Sequence, residues 1–158
     1  MYTYHSLPLL LTLGLVAISP VAANVTESSQ ALAVMKIAAV TKMYQQDVDN
    51  EGMNNPVILE QYANPDLQAA IQLTHDYFDK HQMSCNVDYD VLWDSQDPDY
   101  TQDKKFLIND KGLVQVSLAQ GSDIYYDLSC DETECQVADV ILDENGKSLR
   151  QHFLESCR

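Results

Sequence analysis

Four cysteines, Cys85, Cys130, Cys135 and Cys157, constrain this 158-residue chain more than any other feature. In an oxidising compartment an even number of thiols becomes a disulfide framework, which fixes the segments that must meet. The compartment is therefore the first question. Leu7 to Ile18 is nearly all apolar, Pro20 breaks the run, and Val21-Ala22-Ala23 offers small residues for cleavage after Ala23. That is the pattern of a secretory leader over residues 1–23, leaving one mature domain over 24–158. No Lys or Arg precedes the run, so the terminal amine alone supplies its positive end. The run is short for a membrane span and no second one follows, so no transmembrane span is expected in the mature protein. No cysteine sits at the cleavage point to carry a lipid anchor. A periplasmic or secreted protein is expected.

Four thiols allow three pairings. Cys130 and Cys135 flank the turn "DETE" and would face each other across a hairpin, within bridging distance. By elimination Cys85 meets Cys157. About 135 mature residues suffice for one core that buries roughly two-thirds of the unfolded surface.

Glu27 to Asp47 reads as a helix, with Ala31, Val34, Met35, Ala38 and Ala39 at helical spacing. "NEGMNNP" (50–56) ends it, and a short apolar turn, Val57 to Tyr62, follows. A second helix starts with Asn64 as N-cap, Pro65 as first residue and Asp66 at the positive helix end. Its expected buried stripe is Leu67, Ala70, Ile71, Thr74 and Phe78. After Cys85 the pattern alternates: Val87, Tyr89 and Val91 against Asp88, Asp90 and Leu92, as in a strand. "DSQDPDYTQDK" is an acidic loop. Phe106–Asn109, Leu113–Gln120, Ile124–Ser129 and Gln136–Leu142 read as four more strands, joined by "DKG", by Gly121-Ser122 as a type II′ turn, and by "DETE". "ENG" (144–146) ends the last strand. Ser148 and Gln151 form a capping box for a closing helix through Ser156. The fold class is α+β: N-terminal helices on a curved antiparallel sheet of about five strands, with a C-terminal helix.

In this order, "YANPDLQAAI", "DYDVLWDSQDPD", "LSCDETECQVADV" and "SLRQHFLESC" carry a resemblance over roughly Ala31 to Cys157. The chain resembles a family of exported bacterial proteins classed as a domain of unknown function. That family is similar to the nuclear-transport-factor-two-like fold, a cone of helices against a strongly bent sheet. The resemblance implies that fold and an exported location, and it implies no reaction. Folds of this shape enclose a cavity, and some unrelated members use a buried Asp there as a general base, the ketosteroid isomerase pattern.

Two sets of residues are candidates for function. The first is a pocket. Asp90 and Asp139 interrupt the apolar runs "VDYDVL" and "VADVIL", and Trp93, Tyr77 and Tyr126 could line the same space. If Asp139 points inward with Val137 and Ile141, low dielectric raises its pKa. The plainer alternative is that these aspartates bind loop backbone or pair with Arg150 or a Lys, since perturbed acids also occur in structural networks. The second set is an acidic surface: Asp94, Asp97, Asp99 and Asp103, with Asp131, Glu132 and Glu134. The plain reading there is a solvated loop with Asp capping its own turns.

Other chemistries lack their motifs. A calcium loop needs a Gly and a later Glu that 94–99 does not have, and in "DENG" His152 stands where the Glu belongs. His75 and His81 are six apart, no HExxH or CxxC occurs, and no Gly-x-Ser-x-Gly elbow is present. No metal, cofactor or catalytic residue is assigned. The charge decides the partner class: 9 Lys and Arg against 24 Asp and Glu give a net charge of −15. Nucleic acid and anionic lipid need basic patches and are excluded as partners. The reading is a non-enzymatic binding protein whose acidic surface engages a cationic exported or envelope protein, such as a toxin that an immunity protein would plug. The alternative is a small pocket enzyme or ligand carrier using Asp90 or Asp139.

Overall fold

Helix α1 spans Val21–Asp49, α2 Val57–Tyr62, and α3 Pro65–His81 in the computed structural model, which describes residues 21–51, 53, 57–143 and 145–158. Four strands follow, β1 Lys104–Ile108, β2 Val114–Leu118, β3 Asp123–Cys130 and β4 Cys135–Ile141, and then α4 Leu149–Ser156. The expected leader falls mostly on residues 1–20, outside the described residues, and the cleavage point after Ala23 falls in the first turn of α1. Glu144 of "ENG" and much of the break before α2 also lie outside them. The α+β class holds.

Local chemistry sets the helix ends. Asn64 Oδ1 accepts from the Leu67 N–H at 2.9 Å, satisfying one orphan donor of α3 beside Pro65. Gln82 takes a left-handed conformation (φ 54°) and returns its N–H to the Phe78 carbonyl. At α4 only half of the capping box forms. Ser148 Oγ accepts from Gln151 N–H at 3.1 Å, but the Gln151 side chain donates to Glu155, one turn on. The segment 57–62, expected as a turn, closes into the short helix α2.

The sheet runs β1-β2-β3-β4, antiparallel throughout. Val114, Val116, Ile124, Tyr126, Leu128, Val137 and Val140 give it one buried face. Against that face pack Val40, Met43 and Tyr44 of α1, Ile58 and Leu59 of α2, Leu67, Ala70 and Ile71 of α3, and Leu149 and Phe153 of α4. Two corrections concern these stripes. In α1 the buried residues are Val40, Met43, Tyr44 and Asp47, whereas Ala31, Val34 and Ala38 are exposed. In α3 the stripe stops at Thr74, and Phe78 is 51% exposed beside Ser84 and Asn86.

The hairpins also differ in detail. Strand β2 ends at Leu118, and Ala119-Gln120-Gly121 forms a three-residue loop with Gly121 N–H on Leu118 O and Gly121 at φ 100°. This is a type I turn closed by a left-handed Gly, in place of the expected two-residue turn at Gly121-Ser122. The "DKG" loop has the same form, with Gly112 at φ 77°.

The expected first strand, over Val87 to Leu92, does not form. Asp90 Oδ1 accepts from Leu92 N–H at 2.9 Å, and Asp90 N–H donates to Ser95 O at 2.9 Å. Those local bonds close a tight turn over Asp90–Ser95 in competition with a sheet ladder. Asp94 sits in it at φ 47°, a conformation Asp tolerates. The turn drives Val91, Leu92 and Trp93 into the core together.

Both disulfides join the expected partners. Cys85–Cys157 spans 72 positions and ties α4 to the chain entering the Asp90 turn; Cys130–Cys135 spans 5 across the β3–β4 hairpin. No free cysteine remains among the described residues, which suits an oxidising compartment. No helix of the described residues is long and apolar enough to cross a membrane.

Candidate functional site

The turn at Asp90–Ser95 divides two regions, a buried polar network behind it and an open cleft in front. Behind it, Trp93 and Tyr126 are among the largest fully buried side chains. Tyr44 donates its hydroxyl to the Leu92 carbonyl and lies 2.9 Å from the Tyr126 hydroxyl. Trp93 Nε1–H donates to Asp47 Oδ2 at 2.6 Å. Asp47 is fully buried, and its second oxygen has no hydrogen-bond partner among the described residues. Burial raises the Asp47 pKa, and the Trp93 bond opposes the shift. Burial also raises both phenols, Tyr44 and Tyr126, well above their ordinary value. Edge-on rings at 5.4 Å (Tyr44–Trp93) and 5.3 Å (Trp93–Tyr100) complete the packing. The network is a specifying core element.

In front lies a cleft of about 430 Å³. Leu59, Ile71, Leu149 and Phe153 form its floor, contributed by α2, α3 and α4. Its wall is the segment 86–100, with Asp88, Tyr89, Asp90 and Tyr100 among the lining residues, and among the described residues no Lys, Arg or His lines it. Burial raises the pKa of Tyr89, and the charges of Asp94, Asp88 and Asp143 add to it. Burial does the same at Tyr100, followed by Asp90, Asp47 and Asp97.

Of the five residues expected to share a pocket, only Asp90 lines this cleft. Trp93 and Tyr126 are core, and Tyr77 stacks on His81 along α3 at 4.4 Å. Asp139 is displaced by a bulge. Leu128 pairs with Val137 while Asp127 pairs with Asp139, so Ala138 is the extra residue. Val137 and Val140 then face the core, and Asp139 falls on the opposite face with Asp127 and Ile141. There its Oδ1 accepts from the Arg150 N–H at 3.0 Å and its Oδ2 lies 3.6 Å from Arg150 Nε. Asp139 therefore caps the second orphan donor of α4 and holds its Arg. That is the arrangement the plainer sequence reading offered.

The acidic surface falls in two places. Asp94, Asp97, Asp99 and Asp103 are exposed on the loop that continues the cleft wall. Asp131, Glu132 and Glu134 are exposed at the tip of the β3–β4 hairpin, beside a second groove of about 530 Å³ that carries Lys42. Several of these carboxylates also shape their loops. Asp99 Oδ1 accepts from Thr101 N–H and Oγ1–H, and Asp131 Oδ1 from Thr133 and Glu134 N–H. Those bonds hold both acids below the usual carboxylate range. Among the described residues the ion pairs are those of Arg150 with Asp139 and Asp66, so the loop carboxylates have no paired cation. No group of three or more His, Cys, Asp or Glu could hold a metal ion there.

Sequence reasoning missed Tyr44, Asp47, Tyr89 and Tyr100. For the first two a signal existed: Val40, Met43, Tyr44 and Asp47 follow i, i+3, i+4, i+7 spacing. Compared with known proteins, the chain matches no family model, no curated protein and no solved structure. The resemblance read from its motifs therefore rests on those motifs, and the structure supports its α+β class.

Proposed function

We propose that this chain is an exported, non-enzymatic binding protein, cleaved after Ala23, whose acidic face engages a cationic protein in the periplasm or outside the cell. A cone-shaped domain related to the nuclear-transport-factor-two-like fold fits the order of helices and sheet. One observation carries the reading. The wall of the cleft, 86–100, runs on into the exposed carboxylates Asp94, Asp97, Asp99 and Asp103, so an apolar floor and negative charge adjoin there. Such a surface speeds encounter with a basic partner and rejects acidic ones. An immunity-type protein that plugs a basic exported toxin is one form of this function.

Capture from envelope and secreted fractions tests it. The oxidised protein should retain a basic partner at low salt and release it as salt rises, because exposed charges are screened. Reversing Asp97, Asp99 and Asp103 to Lys should abolish capture while leaving the circular dichroism spectrum unchanged. Retention of the same partner by the reversed variant would overturn the reading.

A further inference from the structure

Helix α1 turns Met35, Ala39, Lys42 and Gln46, at helical spacing, to the groove beside the β3–β4 hairpin, and the start of β4 faces them with Cys135 and Gln136. The volume of the groove, about 530 Å³, lies within the range of small-ligand sites. Hydrogen bonds set its third side, the end of α2. Tyr62 donates its hydroxyl to Gln46 Oε1 at 2.9 Å, and Gln46 Nε2–H donates to Gln61 Oε1 at 2.8 Å. That relay engages the Gln61 carbonyl oxygen and leaves its amide N–H groups as donors. Lys42 stands one turn before Gln46 on the same helix face, so donors gather there. The hairpin carries Glu134, whose backbone N–H is held by Asp131 Oδ1 while its side chain lines the groove. Among the described residues neither Lys42 nor Glu134 forms an ion pair, so the groove holds a cation and a carboxylate apart. An exposed pair between the two would be weak, and it does not compete with a ligand that bridges both.

Those charges select the ligand. An anion alone is drawn to Lys42 and repelled by Glu134, and a cation alone meets the reverse. A neutral chain leaves both unused. A molecule with both charges uses both, and Met35, Ala38 and Ala39 offer an apolar strip for its body.

We propose that this groove binds a zwitterion, a free amino acid or short peptide, with its carboxylate at Lys42 and Gln61 and its ammonium group at Glu134. An apolar side chain of the ligand lies on Met35, Ala38 and Ala39. The site goes beyond capture of a cationic protein and does not rest on it, because none of the loop carboxylates Asp94 to Asp103 lines this groove. Failure of either leaves the other standing.

A nuclear magnetic resonance titration of the full oxidised chain at low ionic strength, with leucine, Leu-Gly and Leu-Gly-Gly as probes, tests the site. The best of the three should bind with a dissociation constant on the order of 0.1–1 mM, within the reach of so small a ligand. Saturating amide shifts should centre on the lining residues of α1, the end of α2 and the start of β4. Tightest binding by leucine assigns the groove to a free amino acid, and tightest binding by either longer probe assigns it to a peptide. Converting the best probe to its C-terminal amide, or acetylating its amine, should weaken it roughly tenfold, one charge-assisted contact being lost each time. Lys42→Gln should weaken the free probe roughly tenfold and remove the penalty of the amide, and Glu134→Gln should remove that of the acetyl group, because each pair of changes deletes one shared contact. Both side chains are exposed, so neither variant should disturb the fold. Glu132→Gln, on the same hairpin tip but outside the groove, should change affinity by about twofold at most. Capped probes that bind as tightly as the free one overturn the site. So does the lack of a saturating shift at about 10 mM, or a Glu132→Gln loss equal to that of Glu134→Gln.

Discussion

Replacing Cys85 and Cys157 together by Ser should lower stability by about 4 kcal/mol, against about 2 kcal/mol for the Cys130 and Cys135 pair. The difference follows from loop length, 72 positions against 5, because the longer loop removes more freedom from the unfolded chain. For a domain of this size the larger loss corresponds to a fall in melting temperature of roughly 10–20 °C. Its consequences extend to the cleft. The bridge holds α4, which supplies Leu149 and Phe153 to the floor, against the segment that forms the wall. His152 Nε2 lies 3.1 Å from the Cys85 carbonyl oxygen at the same junction. The long-bridge variant should therefore lose the docking of α4 before its overall helical signal falls, whereas the hairpin variant keeps both. Urea titrations of the two double variants check the order. Equal losses would show that α4 is held by packing alone.

Trp93→Ala should cost about 3–5 kcal/mol, the range for removing a large buried aromatic. Part of that cost should depend on pH, through Asp47. The folded-state pKa of Asp47 is raised above its unfolded value, so the fold favours the protonated acid. Its contribution to stability is fully present below the unfolded carboxylate pKa, about 3.9. It is lost as pH rises through the folded-state value. Among the described residues Trp93 donates the hydrogen bond that favours the charged form. Without it the folded-state value climbs further, so the cost of Trp93→Ala should be larger at about pH 7 than at about pH 4. In an Asp47→Asn background the same substitution should cost the same at both pH values. A pH-dependent cost that survives Asp47→Asn would place its origin in another group.

Where the chain announced its structure, it did so through local chemistry. Asn64-Pro65 and Ser148 are cap signals that act within one turn of helix, and both caps form. "SCDETEC" specifies a hairpin through Asp131 and the flanking thiols, within six residues. The failures share a different cause. "VDYDVLW" alternates like a strand, yet Asp90 satisfies the backbone of its own turn, and alternation does not reveal that competition. Asp139 reads as inward-facing until Ala138 bulges out, and a one-residue bulge reverses every assignment beyond it. In α1 the Ala-rich run drew attention from the later stripe that carries Tyr44 and Asp47. The cleft was half legible: Asp90 was named, but Leu59, Ile71 and Phe153 reach it only through tertiary packing of three helices.

The central claim is that the acidic loop engages a cationic partner, and a side-by-side capture experiment tests it most directly. The oxidised protein and its variant with Asp97, Asp99 and Asp103 reversed to Lys would be presented to envelope and secreted fractions at low and moderate salt. The expected result is a basic partner held by the unmodified protein alone and released as salt rises. Retention of the same partner by both proteins would contradict it.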